Sequence, residues 1–267
     1  MFRDPLIIGL LACLSLPVAA DDTLQSILAA DHRQVSALRD PYRHPAETLA
    51  FFEVQPAMTV VEIWPGAGGW YTEILAPYLR RQGAFYAAQF DANATGFFQR
   101  ARAAFMEKLA ASPPLYAKVQ VTAFSPPEGV AIAPPGSADR VLTFRNVHNW
   151  YMSGGEDNVL AAMQAFYTAL KPGGILGVVD HRLPESRPAA DMKASGYLHQ
   201  SFVIAMAQRA GFKLVATSEI NANPNDNADH PNGVWSLPPT LRGGDEQRDL
   251  FQAIGESDRM TLKFIKP

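Results

Sequence analysis

The sequence predicts one doubly wound α/β domain, built on a mostly parallel seven-stranded sheet with helices at its N-terminus. Three observations predict it. Short apolar runs alternate with helix-period segments from residue 58 to the end, which is the pattern of βα units. Runs such as Ile175-Leu176-Gly177-Val178-Val179 are apolar along their length instead of alternating, the mark of strands covered on both faces. The runs end in Gly, Pro or polar clusters such as Pro65-Gly66-Ala67-Gly68-Gly69 and Asp180-His181-Arg182, which break regular structure. No internal repeat and no second core interrupts this order.

Taken in order, residues 1–20 read as a signal peptide: Arg3, an apolar run from Leu6 to Leu16, then Pro17 and Val18-Ala19-Ala20. A charged start, an apolar stretch and a small-residue site predict cleavage after Ala20 and a periplasmic or secreted protein. The run is shorter than the roughly 20 residues a membrane span needs, so no stable membrane insertion is expected after cleavage. A lipoprotein anchored at Cys13 is the second reading. Cys13 is the only cysteine, so a chain starting at Asp21 has no disulfide and no thiolate metal site, which suits an oxidising compartment.

The N-terminal helical segment (residues 22–55) comprises a helix over Leu24–Leu38, with Leu24, Ile27, Leu28, Val35 and Leu38 at helical spacing, and a short helix opened by Pro45. The α/β core (56–267) starts with a strand at Met58–Trp64, a glycine turn and a helix over Tyr71–Arg81. Strands follow at Ala84–Phe90, Val119–Phe124, Ala138–Val147, Ile175–Val179, Phe212–Ile220 and Met260–Ile265. Helices are expected at Thr95–Ala111, from a capping box at Ser153-Gly154-Gly155-Glu156 to Leu170, and at Ser195–Ala210. The Asn- and Pro-rich stretch from Asn221 to about Gly244 reads as a loop. A net charge of −3 with no basic run carries no footprint for nucleic acid, leaving a small molecule as the expected partner.

In such sheets ligands bind beyond the carboxyl ends of the strands. The first end, Glu62-Ile63-Trp64-Pro65-Gly66-Ala67-Gly68-Gly69, places an acid before a glycine turn and a helix start, where bare amides meet a carboxylate or phosphate. A dinucleotide fingerprint is excluded because its last glycine falls on Tyr71, and a Walker loop because no Gly-Lys-Ser/Thr follows.

This turn resembles motif I of the class I S-adenosylmethionine-dependent methyltransferases, an acid followed by Gly-x-Gly-x-Gly. Leu170-Lys171-Pro172-Gly173-Gly174 before a strand, Ala210-Gly211-Phe212, and Asp258-Arg259-Met260-Thr261-Leu262-Lys263-Phe264 are also similar to that family. Trp70 to Leu75 and Arg145 to Trp150 resemble a group of exported predicted methyltransferases. The resemblance implies S-adenosyl-L-methionine as cofactor and methyl transfer to a small acceptor. It implies cofactor contacts at Glu62, Trp64, Gly66, Gly68, Tyr71, Gln89, Asp91, Phe124 and Asn146. The chain departs from the family at three points. Trp64 stands for a glycine, Gln89 for the acid that holds the ribose, and no acid follows the third strand.

Trp64, Trp70 and Tyr71 read either as packing between strand and helix or as an aromatic wall for the sulfonium cation. His148, after the fourth strand, is the candidate base, and Asp180, after the fifth, its orienting or substrate-binding partner. Each histidine reads equally as a strand or helix cap. An Asn/His/Asp/His set can also hold a divalent metal, though no metal is assigned. His230 and Trp235 read as part of a lid or of a solvated loop. The rival function is an exported accessory protein that keeps the fold without the chemistry.

Overall fold

The computed structural model describes residues 23–267; the expected signal peptide and its expected cleavage site lie outside the described residues. The strands are β1 (Thr59–Ile63), β2 (Ala84–Gln89), β3 (Gln120–Ala123), β4 (Ala138–Phe144), β5 (Leu170–Leu183), β6 (Leu198–His199), β7 (Lys213–Ser218) and β8 (Arg259–Ile265). The sheet order is β3-β2-β1-β4-β5-β8-β7, with β6 pairing β5. β1 to β5 run parallel, and β8 alone lies antiparallel, between β5 and β7. The expected mostly parallel sheet is therefore present, with the two-residue β6 added.

Strand alternation sorts the core into two layers. Val61, Ile63 and Val141 join the cluster under α7 (Val147–Ala169) and α9 (Gln200–Arg209), while Val60 and Leu142 face the cluster formed with α3 (Pro45–Phe51) and α4 (Thr72–Leu79). The chain order reverses at β1 and β4, so the turns after these strands open the crevice in which the site lies.

Four expectations are corrected. The helix over residues 24–38 is instead α1 (Leu24–Leu28) followed by 3-10 turns at Asp31–Arg33 and Ser36–Arg39. Buried Arg33 causes this: it forks onto Asp40 at 2.8 and 3.0 Å and bonds the Leu28 carbonyl, folding the chain back. Val35 and Leu38, counted as a core face, are 82% and 75% exposed. The capping box is not formed by its own residues: Ser153 Oγ donates to the Trp150 carbonyl and Glu156 pairs with Arg209. The helix runs through from Val147 with a kink at Gly154 and Gly155, where Gly155 has φ 66°.

The helix expected from Ser195 is α8 (Asp191–Ser195), then β6, then α9. Gly196 ends α8 at φ 74°, and a Cβ there would lie 2.8 Å from the Trp235 ring, so only glycine lets the following loop close down. That loop is not featureless: it carries a 3-10 turn at Gly233–Ser236 and leads to α10 (Arg248–Ile254). Asp226 staples it down, accepting from Tyr197 Oη (2.9 Å), the amides of Ala228 and Asp258, and the His230 ring.

Candidate functional site

The turn after β1 is shaped by its own backbone. Gly66 sits at φ 72°, a conformation that favours glycine, and Cβ atoms built on Gly66 and Gly68 would meet nothing within 4 Å. The turn is thus an open cradle at the foot of α4. Glu62 does not reach into it. Its side chain follows Val60 onto the α4 face, where it accepts from Thr72 Oγ1 at 2.7 Å. Burial pushes this carboxyl up to about 8, against the pull of that hydrogen bond. Glu62 therefore anchors the helix start from behind the turn.

Tyr71 is also behind it, buried and stacked on Phe144 at 3.6 Å. Trp70 lies between Arg33 and Arg43, with its indole N–H on the Ser36 carbonyl. The packing reading holds for these two rings.

Gln89 is fully buried. Its Nε2 donates to the Gly66 carbonyl at 2.9 Å and its Oε1 accepts from the Phe90 amide. It ties β2 to the glycine turn through one of its two amide N–H groups. Trp64, at φ 45°, turns away from the glycines. Its Nε1 donates to the Phe124 carbonyl at 2.8 Å, and its ring lies between Phe90 (4.8 Å) and Trp150 (5.5 Å), with Phe98 and Phe124 around it.

Trp64, Phe90, Phe98 and Asn149 form a wall shared by two cavities. One, of about 300 Å³, is bounded by Asp91, Phe124, Ser125, Trp150 and Ser153. The other, of about 360 Å³, is lined by Gly66, Arg145, Asn146, His148, His181 and Trp235 among others. In the smaller one, Asp91 accepts from the Asn93 amide and the buried Trp150 N–H has no partner.

The larger cavity holds the reactive groups. Asn146 Nδ2 donates to the Ile63 carbonyl at 2.8 Å and to Thr143, clamping β4 to β1. Asp180, at the end of β5, is fully buried. It accepts from the amides of Val147 (2.7 Å) and His181 (2.8 Å), and its Oδ1 lies 2.8 Å from His148 Nδ1. It thereby caps the bare amides at the start of α7 and fixes the His148 ring, leaving Nε2 as the nitrogen available to a ligand. His181 lies 4.8 Å from His148, ring to ring, with Nδ1 on Ser257 Oγ at 2.6 Å. Burial and the nearby cations push His181 well below the ordinary histidine value, so it is neutral.

Ligand atoms of His148, Asp180 and His181 lie within 4.8 Å of one another, the spacing of a possible metal trio. The carboxylate's oxygens are already engaged by two amides and a ring, and the neighbouring charges are arginines, which oppose a cation.

Those arginines carry no sequence signature of their own, and sequence reasoning missed them. Arg39 and Arg43 come from the N-terminal segment, Arg145 from the end of β4, and Arg259 from the start of β8. Glu256 accepts from Arg39 Nε at 2.5 Å and Arg43 Nε at 3.2 Å, and Arg259 Nη2 lies 3.2 Å away. Their field holds the Glu256 carboxyl at about 2, although burial alone would raise it. Of the lid reading, Trp235 is in place: it lines the larger cavity with Val234. His230 is not, since its ring is spent on Asp226 at 2.7 Å.

No protein-family model matches the sequence, and no curated protein sequence matches it. Solved structures do resemble the fold. A SAM-dependent methyltransferase from Aquifex aeolicus superposes with a TM-score of 0.57 at 14% identity, covering 92% of this chain and 99% of that one. The [4+2]-cyclase SpnF gives a TM-score of 0.57 at 16% identity, covering 91% of each chain. A putative sarcosine dimethylglycine methyltransferase from Galdieria sulphuraria gives 0.54 at 15% identity, covering 86% of each. The chain thus has the fold of these proteins.

Proposed function

We propose that the protein is a methyltransferase that uses S-adenosyl-L-methionine and acts on a small acceptor, and that it works outside the cytoplasm. The observation that carries this reading is a single cavity containing both the open Gly66 turn and the Asp180-oriented His148. Residues 1–20 support export. Neighbours of the same fold are methyltransferases by their descriptions, and one is a cyclase, so the fold alone leaves the reaction open.

The residues fit the two halves of the cofactor unequally. The glycine turn, with no atom within 4 Å of either added Cβ, fits the amino-acid and sulfonium half. The slot between Phe90 and Trp150, flat and aromatic as an adenine site must be, holds the Trp64 indole. The adenosine half enters only when the indole swings out of this place. When bound, the cofactor supplies an electrophilic methyl group. The chain's own part is to orient the acceptor and to take up a proton at His148 Nε2, with Asp180 holding Nδ1 and so fixing the ring.

The same indole favours a second reading, an accessory protein that binds a ligand in the larger cavity without the cofactor. Calorimetry separates them. Saturable binding of S-adenosylhomocysteine, weakened by Gly66→Leu, is the expected result. No heat at millimolar ligand, for the wild type and for a variant with Trp64 removed, refutes the methyltransferase.

A further inference from the structure

The wall of the larger cavity beneath His148 carries an excess of positive charge. Arg39, Arg43, Arg145 and Arg259 surround Glu256, with Asp180 in range of Arg145 and Asp258 in range of Arg259. His181 is neutral there. Glu256 bonds three of the four arginines. Arg259 completes its contacts on the carbonyls of Tyr42 and Ser257. Two N–H groups remain buried without partners, on Arg39 Nη2 and on Arg43 Nη2.

Arg145 is the fourth. It lines the cavity, and its guanidinium has no hydrogen-bond partner among the described residues. Burial and the surrounding cations lower it to about 10, so it stays charged at neutral pH. Its backbone is held at φ 62°, a left-handed conformation that costs a non-glycine residue about 1–2 kcal/mol. The Arg145 amide bonds the Val179 carbonyl at 2.7 Å, which keeps the residue in that conformation at the cavity wall.

Lining the cavity half-buried, with Glu256 and Asp180 near but neither bonded to it, this guanidinium has its donors free for a ligand. A bidentate carboxylate or phosphate is the group that satisfies it best. The mouth of the same cavity is apolar, with Phe97, Phe98 and Trp235 on its lining and Phe97 two-thirds exposed.

We propose that this cavity is an anion site in which Arg145 binds a carboxylate or phosphate on the methyl acceptor, while the aromatic rim covers the acceptor's apolar part. The acceptor is then an apolar acid, and the site brings it against His148, three residues along the same segment. This rests on the methyltransferase reading only in calling the ligand an acceptor; the anion site itself stands on the arginines.

The test uses benzoate and its neutral counterpart benzamide as probes, measured by calorimetry on the purified protein, with and without saturating S-adenosylhomocysteine. The wild type should prefer benzoate at least tenfold. Arg145→Met should abolish that preference while keeping the wild-type melting transition, and Arg145→Lys, with its charge but no fork, should reduce it. Equal binding of the two probes, or an unchanged preference in both variants, overturns the proposal. Displacement of benzoate by S-adenosylhomocysteine also overturns it, because the anion is then the cofactor's own carboxylate. Absence of S-adenosylhomocysteine binding, with benzoate still preferred, defeats the methyltransferase and leaves the anion site standing.

Discussion

Replacing Trp64 with glycine restores the residue that class I methyltransferases carry at this point of the turn, and the structure sets what it should do. For adenine to enter between Phe90 and Trp150, the indole must leave. That breaks the Nε1 bond to the Phe124 carbonyl, a net loss of about 1 kcal/mol. It also gives up ring contacts with Phe90 and Trp150, about 0.5–1.5 kcal/mol each. The wild type therefore binds any adenosine ligand at a handicap of about 2–4 kcal/mol, roughly 30-fold to several hundredfold in Kd.

Trp64→Gly removes that handicap. It also suits the observed φ of 45°, which relieves about 1–2 kcal/mol of backbone strain. Lost ring packing outweighs the relief, so the variant should melt at lower temperature yet bind S-adenosylhomocysteine at least 30-fold more tightly by calorimetry. Equal affinity in variant and wild type would refute the reasoning, since it would mean that the indole is not what fills the adenine slot.

Two further outcomes follow from buried carboxyls. Glu62, held at about 8 against an ordinary 4.5, is protonated in the fold over a range where the unfolded chain has released its proton. Stability should fall as pH rises from 4.5 to 8, by an amount on the order of a few kcal/mol; Glu62→Gln should remove that slope in thermal melts, and a parallel slope in the variant would contradict the assignment. Glu256 runs the other way: held at about 2, it stabilises the fold above 4.5 and loses that contribution as pH falls toward 2. Glu256→Gln, which leaves the arginines facing one another, should cost about 3–5 kcal/mol at pH 7 in denaturant melts, and a loss below 1 kcal/mol would show that the cluster is hydrated instead.

Much of the sheet was legible because strands such as β1 and the Ile175–Val179 part of β5 are short, mainly apolar runs closed by glycine, proline or polar clusters. β1, β2 and β4 lie within the expected Met58–Trp64, Ala84–Phe90 and Ala138–Val147, and β8 starts one residue before the expected Met260–Ile265. The N-terminal helix misled because helical spacing of Val35 and Leu38 says nothing about a buried arginine, Arg33, pulling the chain round onto Asp40. β6 has two residues and no pattern to read.

At the site, the strand-end rule brought Gly66, Asn146, His148 and Asp180 to one crevice. It did not reveal the direction of the Trp64 ring, which a hydrogen bond to a backbone carbonyl sixty residues away decides. The arginine cluster was illegible for a related reason. Its members lie at residues 39, 43, 145 and 259, and only the insertion of β8 between β5 and β7 gathers them.

That insertion has a further consequence for how the molecule comes together. β8 is the final strand along the polypeptide, yet it occupies an interior place, so β7 has nothing to pair with until β8 arrives. The same stretch delivers Glu256, which grips Arg39 and Arg43 from the opening part of the described chain. The hollow is therefore fastened by early and late segments clasped on one carboxylate, and it is complete only when both are docked. A molecule seated in it would pull both segments inward, guarding them together against a protease.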